Sequence, residues 1–257
     1  MISVLITHYN RIEEVKSCLY AFKKLNIQNI EYVVSDDGSS IEYQNALKQL
    51  EIDKLVFSPS NKGLTFNINQ GIKNCSGKYI LYCQEDFIPK NELKDRLSEI
   101  LKILDSGKAD MVRLKANYKF PKLFRLSEHI NLIPKFSWNN FYFNAYQYSD
   151  HPFIVNKSFF EIFGNYLENT SGAYGENEYA IRIMKSKAKI AIVDPYLFKD
   201  NNNAESVIEK TEFRKKRTVL KKFKLHKLLR AFRLHLEYLF YNPNKRGLLT
   251  IKNKRKN

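Results

Sequence analysis

Hydrophobic residues in the first half of the chain gather into short runs, separated by longer stretches in which they recur at helical spacing. The runs are "SVLIT" (3–7), "EYVVS" (31–35), "KLVFS" (54–58) and "KYILYC" (78–83), each short enough and apolar enough to read as a buried strand. Between the first two, Ile12, Val15, Leu19 and Phe22 fall at intervals of three and four and predict an amphipathic helix over 12–25. Further helices are expected over 41–50, 61–75 and 91–104. The middle, 111–160, is less regular and rich in aromatic residues, notably in "FSWNNFYFNAYQYSDHPFIV". A helix from about Glu176 and a strand "KIAIVD" (189–194) follow it.

Strand and helix in alternation predict an α/β fold with a mostly parallel, Rossmann-like central sheet flanked by helices. Ligands of such sheets gather at the carboxyl ends of the strands. Here those ends carry Thr7–Arg11, Asp36–Ser40, Ser58–Gly63 and Gln84–Asp86. No GxGxxG follows the first strand and no GxxxxGK[ST] occurs, so dinucleotide-binding and P-loop readings lose support.

Charge divides the 257 residues unevenly. Residues 210–257 hold 17 basic and 2 acidic side chains, whereas residues 1–209 hold 26 and 25. A near-neutral globule is therefore followed by a basic extension. Within it Leu225, Leu228, Leu229, Phe232, Leu236 and Leu239 recur at helical spacing among Lys and Arg, with Pro243 ending the helix. Such a helix can lie on an anionic membrane, bind nucleic acid or pack its stripe on the globule. Aromatic and leucine anchors among lysines suit the membrane interface, and the globule shows no nucleic-acid module, so no nucleic acid is expected. No stretch approaches eighteen uninterrupted apolar residues, the length of a spanning helix. The opening "MISVLITHYN" lacks a basic leader and is expected to be a core strand rather than a signal peptide. Cys18, Cys75 and Cys83 have no zinc-like spacing, and an odd number argues against a disulfide framework. They are expected to be packed thiols of a reducing cytoplasm.

Three acidic sites could carry chemistry. Asp36 and Asp37 in "VVSDDGSS" form either an Asx-type turn or a carboxylate acceptor for a nucleobase N–H. Glu85 and Asp86, at the end of an apolar strand, are either a solvated loop start or part of a divalent cation site completed by a diphosphate. Glu176, before "NEYAIRI", either caps a helix N-terminus or serves as general base for a hydroxyl nucleophile. Glu178, two residues on, belongs to a different helix face.

Taken in order, the strand followed by "THYNR", the strand followed by "DDGS", "NKGLTFNINQGIKNCSGKYIL", the acidic strand end and the acid pair before Arg182 resemble the family-2 glycosyltransferases of the GT-A fold over roughly residues 1–200. The resemblance implies a nucleotide-binding half (1–110) and an acceptor-binding half (111–209) in one domain, 1–209, with the basic helical extension at 210–257. It implies that Thr7, Tyr9, Asn10 and Arg11 help hold the nucleotide and that Asp36, with Asp37 beside it, reads the uracil of a UDP-sugar. Lys62 and Gly63 would border base and ribose. Asp86 would bind Mn2+ or Mg2+, assisted by Glu85, with Gln84 standing where the family has the first acid of Asp-x-Asp. Glu176 would be the base and Glu178 the second acid, in the stretch where Gly175 replaces the family's usual first acid.

The implied activity is inverting, metal-dependent hexosyl or N-acetylhexosaminyl transfer. The acceptor would be a surface glycan or glycolipid, reached by a bacterial enzyme peripheral to the inner face of the cell membrane. Two other classes are a nucleotidyltransferase, which should carry a glycine-rich basic phosphate loop after its first strand, and a non-catalytic sugar- or nucleic-acid-binding protein.

Overall fold

The four apolar runs become neighbouring strands, and the amphipathic stretches between them cross over as helices. A computed structural model describes residues 1–170, 172–201, 224–243, 245–246 and 249–250. In chain order the elements are β1 (Ile2–His8), α1 (Ile12–Lys24), β2 (Ile30–Asp36), α2 (Ile41–Leu47), β3 (Lys54–Phe57), α3 (Leu64–Asn74) and β4 (Tyr79–Gln84). Then come β5 (Phe87–Pro89), α4 (Glu92–Asp105), β6 (Met111–Arg113), β7 (Phe124–Arg125), β8 (Ile130–Leu132) and a 3-10 turn (Asn144–Tyr146). The remainder is β9 (Phe153–Asn156), α5 (Phe159–Phe163), α6 (Gly172–Lys185), β10 (Ile190–Val193), β11 (Phe198–Asp200), α7 (Lys224–Leu239), β12 (Lys245–Arg246) and β13 (Leu249–Thr250).

Nine strands form one sheet in the order β3-β2-β1-β4-β9-β6-β10-β8-β7. β1 lies parallel to both β2 and β4, and its register sets His8 opposite Asp36 and Thr7 opposite Gln84. The chemistry-bearing ends of three strands thus form one edge, and the α/β expectation with a mainly parallel sheet holds. Two strands run against the rest, β8 beside β10 and β9 between β4 and β6, and β9 matters for the site. An antiparallel strand begins where its parallel neighbours end, so Asp150 and His151, just before β9, arrive at the carboxyl edge.

Alternation along β1 sends Val4 and Ile6 into one layer, against Val15, Phe22, Leu97 and Ile100, and Leu5 into the other, against Ile68 and Ile72. Truncating a residue as enclosed as Ile80 costs about 2–5 kcal/mol. Helix α3 approaches β1 so closely that a Cβ at Gly71 would overlap the Leu5 side chain. Local chemistry shifts two expected boundaries. Gly63 takes φ 91°, so α3 starts at Leu64 rather than 61. Helix α6 starts at Gly172 rather than at Glu176, which leaves no acid in its first turn.

The basic extension is described only in part: 202–223, 244, 247–248 and 251–257 lie outside the described residues. Its predicted helix is present as α7, docked on α6 and the 3-10 turn through Ala145, Met184 and Leu234. Among the described residues no helix is long and apolar enough to cross a membrane. All three cysteines are buried and free.

Candidate active site

At the ends of β1 and β2, His8 and Asp36 are both fully buried and paired at 3.1 Å. The backbone N–H of Arg11 donates to His8 Nε2 at 2.9 Å, so the imidazole proton sits on Nδ1 and is donated to Asp36. Asp36 Oδ1 accepts from Ser39 N at 2.8 Å. Burial pushes the Asp36 carboxyl up, but the bonds from His8 and Ser39 outweigh it and hold it below its ordinary value. The carboxylate is thus enclosed within the turn and does not line the cavity above it. Asn10, in the left-handed region at φ 52°, ties this turn to the neighbouring loop: its N–H donates to Ser39 Oγ and its Oδ1 accepts from Ser40 N.

Asp37 takes the place expected of Asp36 at the cavity. It lines the space and accepts the backbone N–H groups of Lys62 and Gly63, both at 2.7 Å, which pins the 61–63 loop over the sheet edge. The Lys62 ammonium turns onto the Phe66 ring, 4.5 Å from its centroid. A cavity of about 280 Å³ results, lined by Thr7, Tyr9, Arg11, Gly63, Glu85 and Asp86 among others. His8, Asn61, Leu64, Asn67 and Gln84 complete it, none of which the sequence singles out as a binding residue. A larger depression of about 600 Å³ lies between Ile2, Tyr79 and Leu97 at the opposite strand ends. Its carboxylate, Asp105, is already engaged by Tyr79 and Lys78. The smaller cavity is the one that gathers the acidic strand ends singled out in the sequence.

Glu85 and Asp86 close the far wall. Burial and the adjacent Asp86 push Glu85 up to about 8, and burial likewise raises Asp86 against the pull of Arg11. Arg11 Nη1 stands 3.8 Å from Glu85 Oε1 and 3.7 Å from Asp86 Oδ2, too far for strong hydrogen bonds. Asp86 Oδ1 is buried with no hydrogen-bond partner. Among the described residues no group of three or more His, Cys, Asp and Glu side chains could hold a metal alone. A cation that draws most of its oxygens from a diphosphate needs only one or two carboxylates. The orphaned Asp86 oxygen beside Glu85 meets that need.

The next acid along the edge was not legible in the sequence. Gln84 Nε2 donates to Asp150 Oδ2 at 3.1 Å, and Asp150 N donates to Glu176 Oε1 at 3.4 Å. Burial, then the neighbouring Glu176 carboxylate, push Asp150 up to about 7, with His151 opposing. Arg113 lies buried beneath, bonded to the carbonyls of Tyr146 and Gln147 and to Ser149 Oγ; burial lowers it to about 10. Glu176 sits in the second turn of α6, which removes the N-terminal capping role. A Cβ at Gly175 would overlap Thr65, so the acid that the resemblance expects there has no room.

Glu178 belongs elsewhere. It is buried on another face of α6, bonded to Arg182 Nε at 3.0 Å and Nη2 at 3.1 Å, and accepts the Tyr241 hydroxyl. With both oxygens engaged it joins the C-terminal segment to α6, away from the cavity lining where a second catalytic acid is expected.

Comparisons with known proteins show the family and the fold. The model of glycosyl transferase family 2 matches residues 3–163. An uncharacterized glycosyltransferase of Rickettsia bellii is 33% identical over 103 residues, 38% of this chain and 15% of that protein. A second, from Rickettsia conorii, is 34% identical over 112 residues, 41% of this chain and 17% of that protein. The matched stretch therefore spans under a fifth of either relative. Among solved structures, S. aureus TarS 1-349 in complex with UDP-GlcNAc superposes with TM-score 0.61 at 14% identity, covering 93% of this chain and 71% of that one. The mannosyltransferase PcManGT of Pyrobaculum calidifontis, in complex with GDP-Man and Mn2+, gives TM-score 0.52 at 13% identity, covering 76% and 54%. At such identities the structures attest a shared fold.

Proposed function

The chain belongs to glycosyl transferase family 2, and on that premise we propose that it transfers a hexosyl or N-acetylhexosaminyl group from a nucleotide-diphosphate sugar to a glycan hydroxyl with inversion. The observation that carries this reading is the buried, unpartnered Asp86 oxygen beside Glu85, on the same sheet edge as the Asp150–Glu176 pair. The pinned 61–63 loop, Thr7 and Tyr9 would receive the nucleoside, with Asp37 the carboxylate within reach of its base. Asp36 and Asn10 would act one step back, by holding the turn that presents Asp37. Arg11 would lie against the diphosphate.

Asp86, with Glu85, would hold Mn2+ or Mg2+, which supplies charge neutralisation for the departing diphosphate. Glu176 would accept the proton of the acceptor hydroxyl as its oxygen bonds to the anomeric carbon and the bond to the diphosphate oxygen breaks. Asp150, bonded to Gln84 on one side and Glu176 on the other, would position and tune that base. A UDP-sugar is the favoured donor, supported by the UDP-GlcNAc complex of TarS; the GDP-Man complex of PcManGT makes GDP the competitor. The net charge of +15 over residues 210–257 supports a lipid-linked acceptor at the inner face of a membrane.

The direct test is turnover of UDP- and GDP-sugars with and without Mn2+. Activity that survives both Asp86→Ala and Glu176→Gln would overturn the mechanism. Thermal stabilisation by GDP and not by UDP would overturn the donor.

A further inference from the structure

Helix α7 carries two apolar stripes. Ala231, Leu234 and Tyr238 face the globule, where Leu234 and Tyr238 pack with Ala145 and Met184. Leu229, Phe232, Leu236 and Phe240, spaced three, four and four residues apart, point away from it and are 52–79% exposed. The stripe expected from the sequence lies largely outward, in Leu229, Phe232, Leu236 and Leu239, and it is a different set, Ala231, Leu234 and Tyr238, that meets the globule.

This outer stripe is not isolated. Phe141 stacks on His235 of α7 with ring centroids 4.7 Å apart and meets Phe232 at 5.4 Å. Trp138 stacks on Phe141 at 6.2 Å, and Phe136 meets Trp138 edge-on at 5.1 Å. Trp138, the only tryptophan of the chain, is 76% exposed. A loop more than eighty residues away in sequence thereby extends the helix surface into one continuous apolar face. Contiguous exposed apolar surface of this kind marks an interaction site rather than ordinary solvent-facing chemistry.

Charge selects the occupant. Residues 210–223, preceding α7, carry 7 basic and 1 acidic side chains, and residues 244–257, following it, carry 6 basic and none acidic. A second copy of this chain would carry the same excess of positive charge and be repelled. An anionic bilayer matches it: basic side chains attract lipid headgroups while tryptophan, phenylalanine and leucine enter the interfacial layer. The face is also tied to the proposed base. Lys185 of α6 donates to Tyr238 O at 2.9 Å, Tyr241 donates to Glu178, and α6 carries Glu176.

We propose that the Trp138 loop and the outer stripe of α7 form a single docking face for an anionic lipid bilayer, set so that a lipid-carried acceptor meets Glu176. The part concerning the acceptor rests on the glycosyl-transfer reading; the docking itself does not.

The experiment uses the full chain with vesicles of phosphatidylcholine alone and of phosphatidylcholine and phosphatidylserine in equal parts. Sedimentation with the mixed vesicles only is expected, together with a blue shift of Trp138 emission and its quenching by brominated acyl chains. Because Trp138 is the only tryptophan, a second variant, Phe232→Ser/Leu236→Ser, keeps the probe while removing the helix anchors. Its partitioning should fall at least about tenfold, while the melting temperature should fall only slightly, by the lost contact of Phe232 with Phe141. Absence of sedimentation overturns the proposal. So does sedimentation undiminished in the variant with unshifted Trp138 emission, which would assign binding to charge alone. A lipid-free blue shift accompanied by a doubled solution mass would give the face to a second copy and overturn it as well. Sugar transfer is not part of these readouts, so failure of the proposed chemistry leaves a positive vesicle result standing.

Discussion

The side-chain amide of Gln84 donates to the Asp150 carboxylate at 3.1 Å, joining the end of β4 to the residue that leads into its antiparallel neighbour β9. This one bond links the proposed diphosphate side of the site, at Glu85 and Asp86, to the proposed base at Glu176. It also gives the departure at position 84 a physical role. An amide can donate to Asp150, whereas an aspartate there would set two carboxylates against each other at a buried edge.

Asp150 should therefore shape the pH profile. Its carboxyl is raised to about 7, so below that pH it is protonated and can share its proton with Glu176. Above it, the ionised Asp150 withdraws that proton and sets a like charge beside Glu176. Transfer kcat should rise with pH through an apparent pKa near 7. In Asp150→Asn that limb should move, because the variant cannot ionise there. A kcat–pH profile with the same rising limb in variant and parent would refute the coupling.

Glu176→Gln should lower kcat by about 10²–10⁴-fold with little change in donor KM, as expected when a general base is lost but its shape is kept. Steady-state kinetics at saturating acceptor would show it. A drop confined to donor KM would instead assign Glu176 to binding.

Asp86→Asn should weaken Mn2+-dependent donor binding by at least about tenfold, replacing the carboxylate whose Oδ1 has no hydrogen-bond partner in the protein by a neutral amide. Calorimetric titration of UDP with and without Mn2+ is the measurement. Equal affinities in parent and variant would take the cation away from this residue.

Glu178→Ala should act on stability. It would leave the partly exposed Arg182 with only the carbonyls of Phe163 and Asn165, at a cost of about 1–3 kcal/mol. Thermal melting should reveal the loss, and Tyr241→Phe should reproduce a smaller part of it. An unchanged melting temperature would mean the clasp is dispensable.

Acid stability should depend on Glu31. It accepts from Ser3 Oγ and Ser76 N and pairs with Lys54 at 2.8 Å. Burial works against its charge, but these partners win and hold its pKa down at about 2, from an ordinary 4.5. A depressed carboxyl stabilises the fold above its unfolded pKa and loses that contribution as pH falls through the folded one. Denaturant unfolding should show the parent losing its advantage over Glu31→Gln between about pH 4.5 and pH 2, and a pH-independent difference would contradict this.

By itself the sequence determined the α/β class, the four core strands and the acidic strand ends, because strand and helix periodicities are local properties of side-chain order. It likewise determined that Glu176 and Glu178 occupy different faces of one helix, since a helix fixes that from spacing alone. Three matters were decided only in three dimensions. Asp36 and Asp37 are adjacent and chemically identical, yet His8 encloses one while the 61–63 loop engages the other, through contacts 25 or more residues apart. Asp150 lies in an aromatic stretch without periodicity, and only the antiparallel insertion of β9 carries it to the edge where the parallel strands end. The leucines and phenylalanine of α7 form one amphipathic pattern on paper. Docking on α6 and the 3-10 turn uses another face, through Ala231, Leu234 and Tyr238, and leaves Leu229, Phe232, Leu236 and Leu239 exposed, because a helix contacts a neighbour along only part of its circumference.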